Sequence, residues 1–227
     1  MAELSVKLLE HTPEPERTIA TAARICYAPV DADELFRTLS DEEVEKLVNL
    51  IIKSGHLSAV EHAVFTFAVD GISRACSHQL VRHRMASFNQ QSQRYVKYSH
   101  GLGFITPPAI DGNSSAKDKF DKLNNMALRI YRELLEEGIK AEDARYVLPN
   151  STETKLVVTM NARELLHFFS LRCCNRAQWE IKNLALAMLE EAKKVAPLLF
   201  KEAGPSCNRG PCPEGKFSCG KPWKKIR

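Results

Sequence analysis

The sequence predicts an α+β fold in which helices pack around a small mixed or antiparallel sheet. Three observations predict it. Capped amphipathic helix patterns recur along the chain, as over residues 40–52 and 161–171. Short runs of period-two alternation stand far apart between them: Leu4, Val6 and Leu8; Phe65, Phe67 and Val69; Leu156, Val158 and Met160. At 227 residues, with 44% hydrophobic and 26% charged, the chain can bury an ordinary globular core.

In chain order, the alternation at Leu4, Val6 and Leu8 reads as a short half-buried strand. Thr12 before Pro13 reads as a cap and first helical position, and a helix is expected to about Cys26, before Pro29. Ser40 and Glu43 form a capping-box pattern. Val44, Leu47, Val48, Ile51 and Ile52 share one face of that helix, and Gly55 ends it. Residues 61–69 read as a strand. After Gly71 a helix is expected over 72–84, then a strand at Val96 and Tyr98. Residues 101–113 read as a loop with Pro107 and Pro108. A long helix begins near Ser115 and Asp118, turns Phe120, Leu123, Ala127, Ile130 and Leu134 inward, and closes at Gly138. A short helix over 141–147 stops before Pro149. The strand candidate 155–160 leads to a helix capped by Asn161 and Glu164. A last helix runs from about Asn175 through Trp179, Leu184, Met188, Leu189 and Ala192, with a kink at Pro197. From Gly204 onward Gly, Pro, Cys and Lys dominate and hydrophobic periodicity ends. The expected organisation is one domain over 1–203 and an appended tail over 204–227.

A net charge of +4 is too mild to argue for nucleic acid by itself; local clustering of arginines matters more. The first residues lack the hydrophobic core of a signal peptide, and no apolar run approaches membrane-spanning length. The expectation is a cytoplasmic chain with no membrane partner. Its seven cysteines should stay reduced or bind metal rather than pair. G-x-G-x-x-G and G-x-x-x-x-G-K-[ST] are both missing, so a Rossmann or P-loop phosphate site is not expected.

Residues 82–95 stand apart. They include Arg82, His83, Arg84 and Arg94, two serines and four amides, with no acid, Gly or Pro. Positive charge with neutral donors suits an anion such as phosphate, which an Arg fork grips with two parallel hydrogen bonds. The plainer alternative is an exposed basic helix end. The stretch also resembles the signature R-H-R-x-x-S-x-N-x-x-S-x-R-Y of the flavin-dependent thymidylate synthases. Arg82, His83, Arg84, Ser87, Asn89, Ser92, Arg94 and Tyr95 fill every fixed position. Other blocks match in the family's order: Gly55 with His56; Glu61 with His62; Phe65, Thr66 and Phe67; Gln79; residues 144–149; Asn161, Ala162 and Arg163; Leu171 with Arg172; and residues 177–180. The resemblance covers about 6–203.

The resemblance implies that family's fold and a homotetramer with sites built between subunits. It implies FAD, dUMP, methylenetetrahydrofolate and NADPH as ligands. The folate would donate a one-carbon unit, flavin reduced by NADPH would supply the hydride, and dTMP and tetrahydrofolate would leave. FAD contacts are implied for Ser58, Arg82, His83, Arg84, Gln90, Asn161, Ala162, Arg163 and His167. Contacts to dUMP are implied for Gln79, Arg82, Gln90, Gln91, Ser92, Gln93, Arg94, Arg145 and Arg172. Gln90 stands where some relatives carry an acid; an amide can donate to a phosphate where a carboxylate cannot. Arg172 is the expected catalytic residue, binding uracil and stabilising negative charge as the base becomes a nucleophile.

Plainer readings stand beside these. Arg172 suits a helix C-terminus as any cation does. Arg145 could be a solvated helix residue and Asn161 a cap. Capping and FAD binding are compatible, because a helix N-terminus attracts phosphate. Ser92 is read as a dUMP ligand, not a nucleophile, because its neighbours are amides and arginines that cannot take its proton. The resemblance puts His56 near flavin and folate; His62 and His78 read as structural. In the tail, Cys207, Cys212 and Cys219 could bind zinc, with Cys173 or Cys174 as fourth ligand. A mobile reduced tail is the alternative, and Lys221, Lys224, Lys225 and Arg227 read as a solvated terminus.

The expected function is methylation of dUMP to dTMP, with small-molecule substrates and further copies of the chain as partners and no nucleic acid. A rival of another class is a basic single-stranded nucleic-acid-binding module using Arg82, Arg84 and Arg94, with Tyr95 and Tyr98 as stacking platforms. The mild charge and the separated arginine blocks count against it. A flavoprotein that oxidises NADPH without transfer is a third reading, and Arg145 and Arg172 count against that one.

Overall fold

The computed structural model describes residues 3–98 and 101–223, so Lys224, Lys225 and Arg227 lie outside the described residues. β1 (Ser5–His11) opens the chain. α1 (Pro15–Arg24) starts on a proline, whose missing N–H has no intrahelical partner there anyway, and buries Ile19 and Ala20. α2 (Ala32–Thr38) has no side-chain cap and buries only Leu35, which is why the sequence pattern does not announce it. α3 (Asp41–Ser54) carries the expected box. The Glu43 N–H donates to Ser40 Oγ at 3.3 Å, and the Ser40 N–H donates to the Glu43 carboxylate at 2.9 Å.

β2 (Val64–Ser73) runs past the expected strand end, and α4 (Arg74–Leu80) is shorter than the helix expected over 72–84. Gly71 is the reason. It does not break the strand but takes φ 72°, letting the N-terminal backbone pass; a Cβ there would lie 2.2 Å from the Glu3 carbonyl oxygen. Gly71→Ala is expected to cost more than about 1 kcal/mol. Thermal unfolding should show a midpoint about 2–4 °C lower, or more. An unchanged midpoint would show that this close approach carries no weight.

β3 (Ala86–Gln90) holds the middle of the signature. The strand expected at Val96 and Tyr98 does not form. The Val96 N–H turns back onto the Ser92 carbonyl at 3.0 Å, and Tyr98 is buried. α5 (Pro108–Asp111) precedes the long α6 (Ser114–Glu136), which Asn113 caps by accepting the Ala116 N–H at 3.1 Å. α7 (Ala141–Ala144) continues as a single tighter turn, Arg145–Val147. β4 (Glu153–Asn161), α8 (Ala162–Arg172) and α9 (Trp179–Val195) follow.

The four strands form one antiparallel sheet in the order β1-β2-β4-β3. β2 and β4 face each other at Thr66 and Thr159, whose hydroxyls lie 2.9 Å apart; just beyond the strand ends the Ala162 N–H donates to the Ala63 carbonyl at 2.8 Å and the Arg74 N–H to the Thr152 carbonyl at 2.9 Å. The architecture is α+β, as expected.

The chain packs as two compact units. The first holds residues 3–5, 69–82, 89–98 and 101–157; the second holds 6–68, 83–88 and 158–223. In the first, Tyr98, Tyr131 and Ala144 are buried among Leu128, Leu134, Leu135 and Val147. In the second, Phe200 meets Phe65 and Phe169 edge-on at centroid distances of 5.5 and 5.8 Å. No helix among the described residues is long and apolar enough to cross a membrane.

Candidate active site

In the second unit the site grows from α8. Asn161 caps it by accepting the Glu164 N–H at 2.9 Å, so the cap reading of Asn161 holds. One turn fixes Glu164 and His167 near each other, and the last turn ends in Arg172. His83 enters from the signature. It is only 5% exposed, with its ring edge-on to Phe168 at 4.9 Å. Its Nδ1 lies 2.9 Å from Glu164 Oε1, and its Nε2 lies 3.1 Å from Arg172 Nε.

These two contacts assign the proton. A guanidinium can only donate, so Nε2 must carry the lone pair and Nδ1 the hydrogen, which is donated to Glu164. Burial pushes the His83 pKa below its ordinary 6.5; Glu164 opposes that shift, while Arg172 and His167 favour it. At neutral pH the imidazole is therefore neutral. It links a carboxylate on one side to a guanidinium on the other, and so fixes the direction in which Arg172 points.

Glu164, His83 and His167 also bring their ligand atoms within 4.8 Å of one another. Arg172 donates into the same group, and a fixed cation at that distance opposes a metal ion there. Glu164, His83 and Arg172 form a hydrogen-bonded relay, and His167 meets His83 only edge-on, at 5.9 Å between ring centroids.

Beside it lies a cavity of about 590 Å³. Arg163 and Arg209 supply cations and Glu61 and Glu164 carboxylates; Asn161, His167 and Ser170 supply polar groups; Leu57, Met85 and Leu166 form an apolar wall. Arg163 is ion-paired with Glu61. Two guanidinium groups for a diphosphate and an apolar wall for a flat ring fit a flavin nucleotide, and the volume is that of a small-molecule site. Arg172 lines a second cavity of about 360 Å³, and Ser170 lines both.

Not every residue expected at FAD faces this space. Ala162 is fully buried, and its N–H is used by the Ala63 carbonyl at 2.8 Å. Ser58 and Arg84 are exposed, and neither lines the cavity.

In the first unit two of the residues expected at dUMP, Arg94 and Arg145, meet at α7. Arg94 Nε donates to the Glu142 carboxylate at 2.6 Å, and Arg145 Nε donates to the Glu142 carbonyl at 3.0 Å. Ser92 Oγ accepts the Arg94 N–H at 3.1 Å, and no carboxylate or imidazole is bonded to it among the described residues. Gln93 is buried with its Nε2 unpartnered. Gln91 accepts the Tyr98 hydroxyl at 3.3 Å. Gln90 donates to Thr154 at 3.1 Å. Gln79 lies on the last turn of α4, and Arg82 follows it, exposed, with its N–H on the Gln79 carbonyl at 3.4 Å.

Sequence reasoning missed four contributors, among them Arg209, which lines the larger cavity from the tail. Glu164 was legible only as a cap partner, although its i,i+3 spacing to His167 was a signal. Glu142, which holds two arginines, gave none. Arg74, whose pKa is lowered by burial and by Arg145 against an opposing Tyr98, gave none either.

With the geometry in place, comparison with known proteins decides the family. The sequence profile described as thymidylate synthase complementing protein matches residues 7–198. The chain belongs to the thymidylate synthase complementing protein family. Among curated members, a flavin-dependent thymidylate synthase from Geobacter sulfurreducens is 54% identical over 220 residues, covering 96% of this chain and 94% of the relative. One from Clostridium tetani is 50% identical, covering 98% and 96%. A UMP/dUMP methylase, PolB from Streptomyces cacaoi, solved with 5-Br dUMP, is 28% identical with a TM-score of 0.78, covering 88% of this chain and 94% of that one. This member of the thymidylate synthase complementing protein family is an enzyme, and it has the family's α+β fold.

Proposed function

We propose that the chain makes dTMP from dUMP, with methylenetetrahydrofolate as carbon donor and FAD reduced by NADPH as hydride source. The observation that carries the reading is Arg172: a guanidinium aimed by a neutral, buried His83 next to a cavity suited to a flavin nucleotide. The names of the relatives, flavin-dependent thymidylate synthase and dUMP methylase, support it. FAD, when bound and reduced, supplies the hydride.

The protein's own groups do the rest. Arg163 and Arg209 hold a diphosphate, and the Asn161-capped start of α8 favours negative charge nearby. Arg94 and Arg145 hold the substrate phosphate, each with a guanidinium edge not used by Glu142. The unpartnered Gln93 amide is the sort of buried donor a ligand can satisfy. Ser92 positions substrate and is not activated for attack, because no base is bonded to its hydroxyl. Arg172 stabilises the negative charge that develops on uracil oxygen as the ring becomes nucleophilic.

Assembly as a homotetramer is part of the proposal. Met85 and Tyr146, in or beside the signature blocks, are 71% and 82% exposed and suit a covering surface. A cytoplasmic setting fits seven cysteines that are all thiols. The nucleic-acid reading loses one of its stacking platforms, because Tyr98 is buried against Tyr131.

The test is the absorption spectrum of the purified protein with and without FAD, followed by dUMP-dependent dTMP formation with NADPH and methylenetetrahydrofolate. Flavin bands and dTMP are expected. Flavin without dTMP would reduce the protein to an NADPH oxidase, and no flavin at all would sink the reading.

A further inference from the structure

We propose that Cys174, Cys207, Cys212 and Cys219 form a four-thiolate metal centre that fastens the C-terminal segment onto the loop following Arg172. The inference stands apart from the dTMP reading and rests on other residues.

All four cysteines line one cavity of about 260 Å³. They come from two places in the chain: one from the α8–α9 loop and three from the segment beyond Gly204. Six of the other eleven lining residues are Pro, Gly or Trp; the remaining five are polar, with Arg176 and Lys221 cationic and Glu214 acidic. The two cations suit the negative charge of a metal held by four thiolates, and none of the four cysteines is paired in a disulfide. The structure also chooses between neighbours. Cys173 is wholly buried in the core, while Cys174 faces the cavity.

Backbone donors already address two of the sulfurs. The Lys221 N–H lies 3.4 Å from Cys219 Sγ, and the Trp223 N–H lies 3.5 Å from Cys207 Sγ. Such N–H groups stabilise a thiolate and tune a metal centre built from it. The segment is laid on the loop by hydrogen bonds that need no metal. Arg176 Nη1 donates to the Phe217 carbonyl at 2.7 Å, and Asn175 Nδ2 donates to the Lys221 carbonyl at 3.1 Å.

Four cysteine sulfurs in a closed set select zinc or an iron–sulfur cluster. On binding, each ligating thiol gives up its proton to solvent and forms a sulfur–metal bond; a zinc site forms without electron transfer, whereas a mixed-valence cluster takes ferric and ferrous iron, the ferrous share coming from the reductant of the reconstitution mixture. Spacing separates the two. A single zinc with Zn–S near 2.3 Å needs sulfurs about 3.8 Å apart. Among the described residues no three of these thiols come within 4.8 Å of one another, whereas His83, Glu164 and His167 do. A polynuclear cluster places metal and sulfide between its cysteine sulfurs and tolerates the wider set.

The experiment is iron, acid-labile sulfide and zinc analysis of the full chain, purified without oxygen and reconstituted with iron and sulfide under reducing conditions. Iron with an equal amount of sulfide is expected, about two of each per chain for a binuclear cluster or about four of each for a tetranuclear one. Stoichiometric zinc instead would keep a four-thiolate centre but overturn the polynuclear assignment drawn from the spacing. Cys207→Ser and Cys212→Ser should each lose the metal, while Cys26→Ser, exposed and remote in sequence, should keep it. Neither metal at stoichiometric level in the wild-type chain overturns the proposal, whatever the variants do. So does full metal retention in a folded Cys212→Ser chain.

Discussion

Arg172→Ala is expected to lower dTMP formation by about 10²–10³-fold, the effect of removing one preorganised donor from a developing anion. The flavin should stay bound, because Arg163, Arg209 and the start of α8 line their cavity without Arg172. The fall should appear in kcat as well as kcat/KM, since the charge Arg172 meets grows during the reaction. Arg172→Lys should recover little. An ammonium on a flexible stem cannot donate to His83 Nε2 while presenting a planar fork elsewhere. Steady-state kinetics with a flavin spectrum decide the matter. If Arg172→Ala loses flavin or fails to fold, Arg172 is a structural residue.

Glu164→Ala is the second large effect. Glu164 is buried, and its loss leaves His83 Nδ1–H without its acceptor, at a cost of about 1–3 kcal/mol. It also releases the tautomer that points a lone pair at Arg172, and the resulting misplacement should lower the activity plateau by about 10–100-fold. The pH profile separates this from simple damage. His83 has its folded pKa lowered below the ordinary 6.5, so its contribution to stability is complete above about 6.5 and is lost as pH falls through the folded value. Protonation puts a hydrogen on Nε2 and a positive charge against Arg172. Activity should therefore fail on the acid side, at a pH below 6.5. Glu164 works to raise the His83 pKa, so removing it should move that acid limb to still lower pH. An acid limb that stays in place would show that His83 does not govern it.

Much of this architecture is written locally. The Ser40–Glu43 box and the Asn161–Glu164 cap depend on residues three apart, and both form as read. The shortened α4 was hidden because Gly71 looks like a break and is instead a clearance for residue 3, far away in sequence. β3 was hidden because Asn89 and Gln90 are poor strand formers; they are held at the end of the sheet order by a partner over sixty residues later. The site divides the same way. Arg172, His83 and the dUMP arginines could be named from motifs. That Glu164 holds His83, or that Glu142 holds Arg94, depends on separations of 81 and 48 residues, which no local pattern encodes.

Each unit encloses one wholly buried thiol: Cys76 in the first and Cys173 in the second. Burial pushes the Cys173 thiol up to about 12, so it resists alkylation while its surroundings stay closed. A thiol reagent applied to the native protein therefore reaches each thiol only when the packing around it opens. The two labelling rates, read separately by mass, convert into two opening free energies. The chain carries a built-in clock in each half, and equal readings from both mark a single cooperative transition.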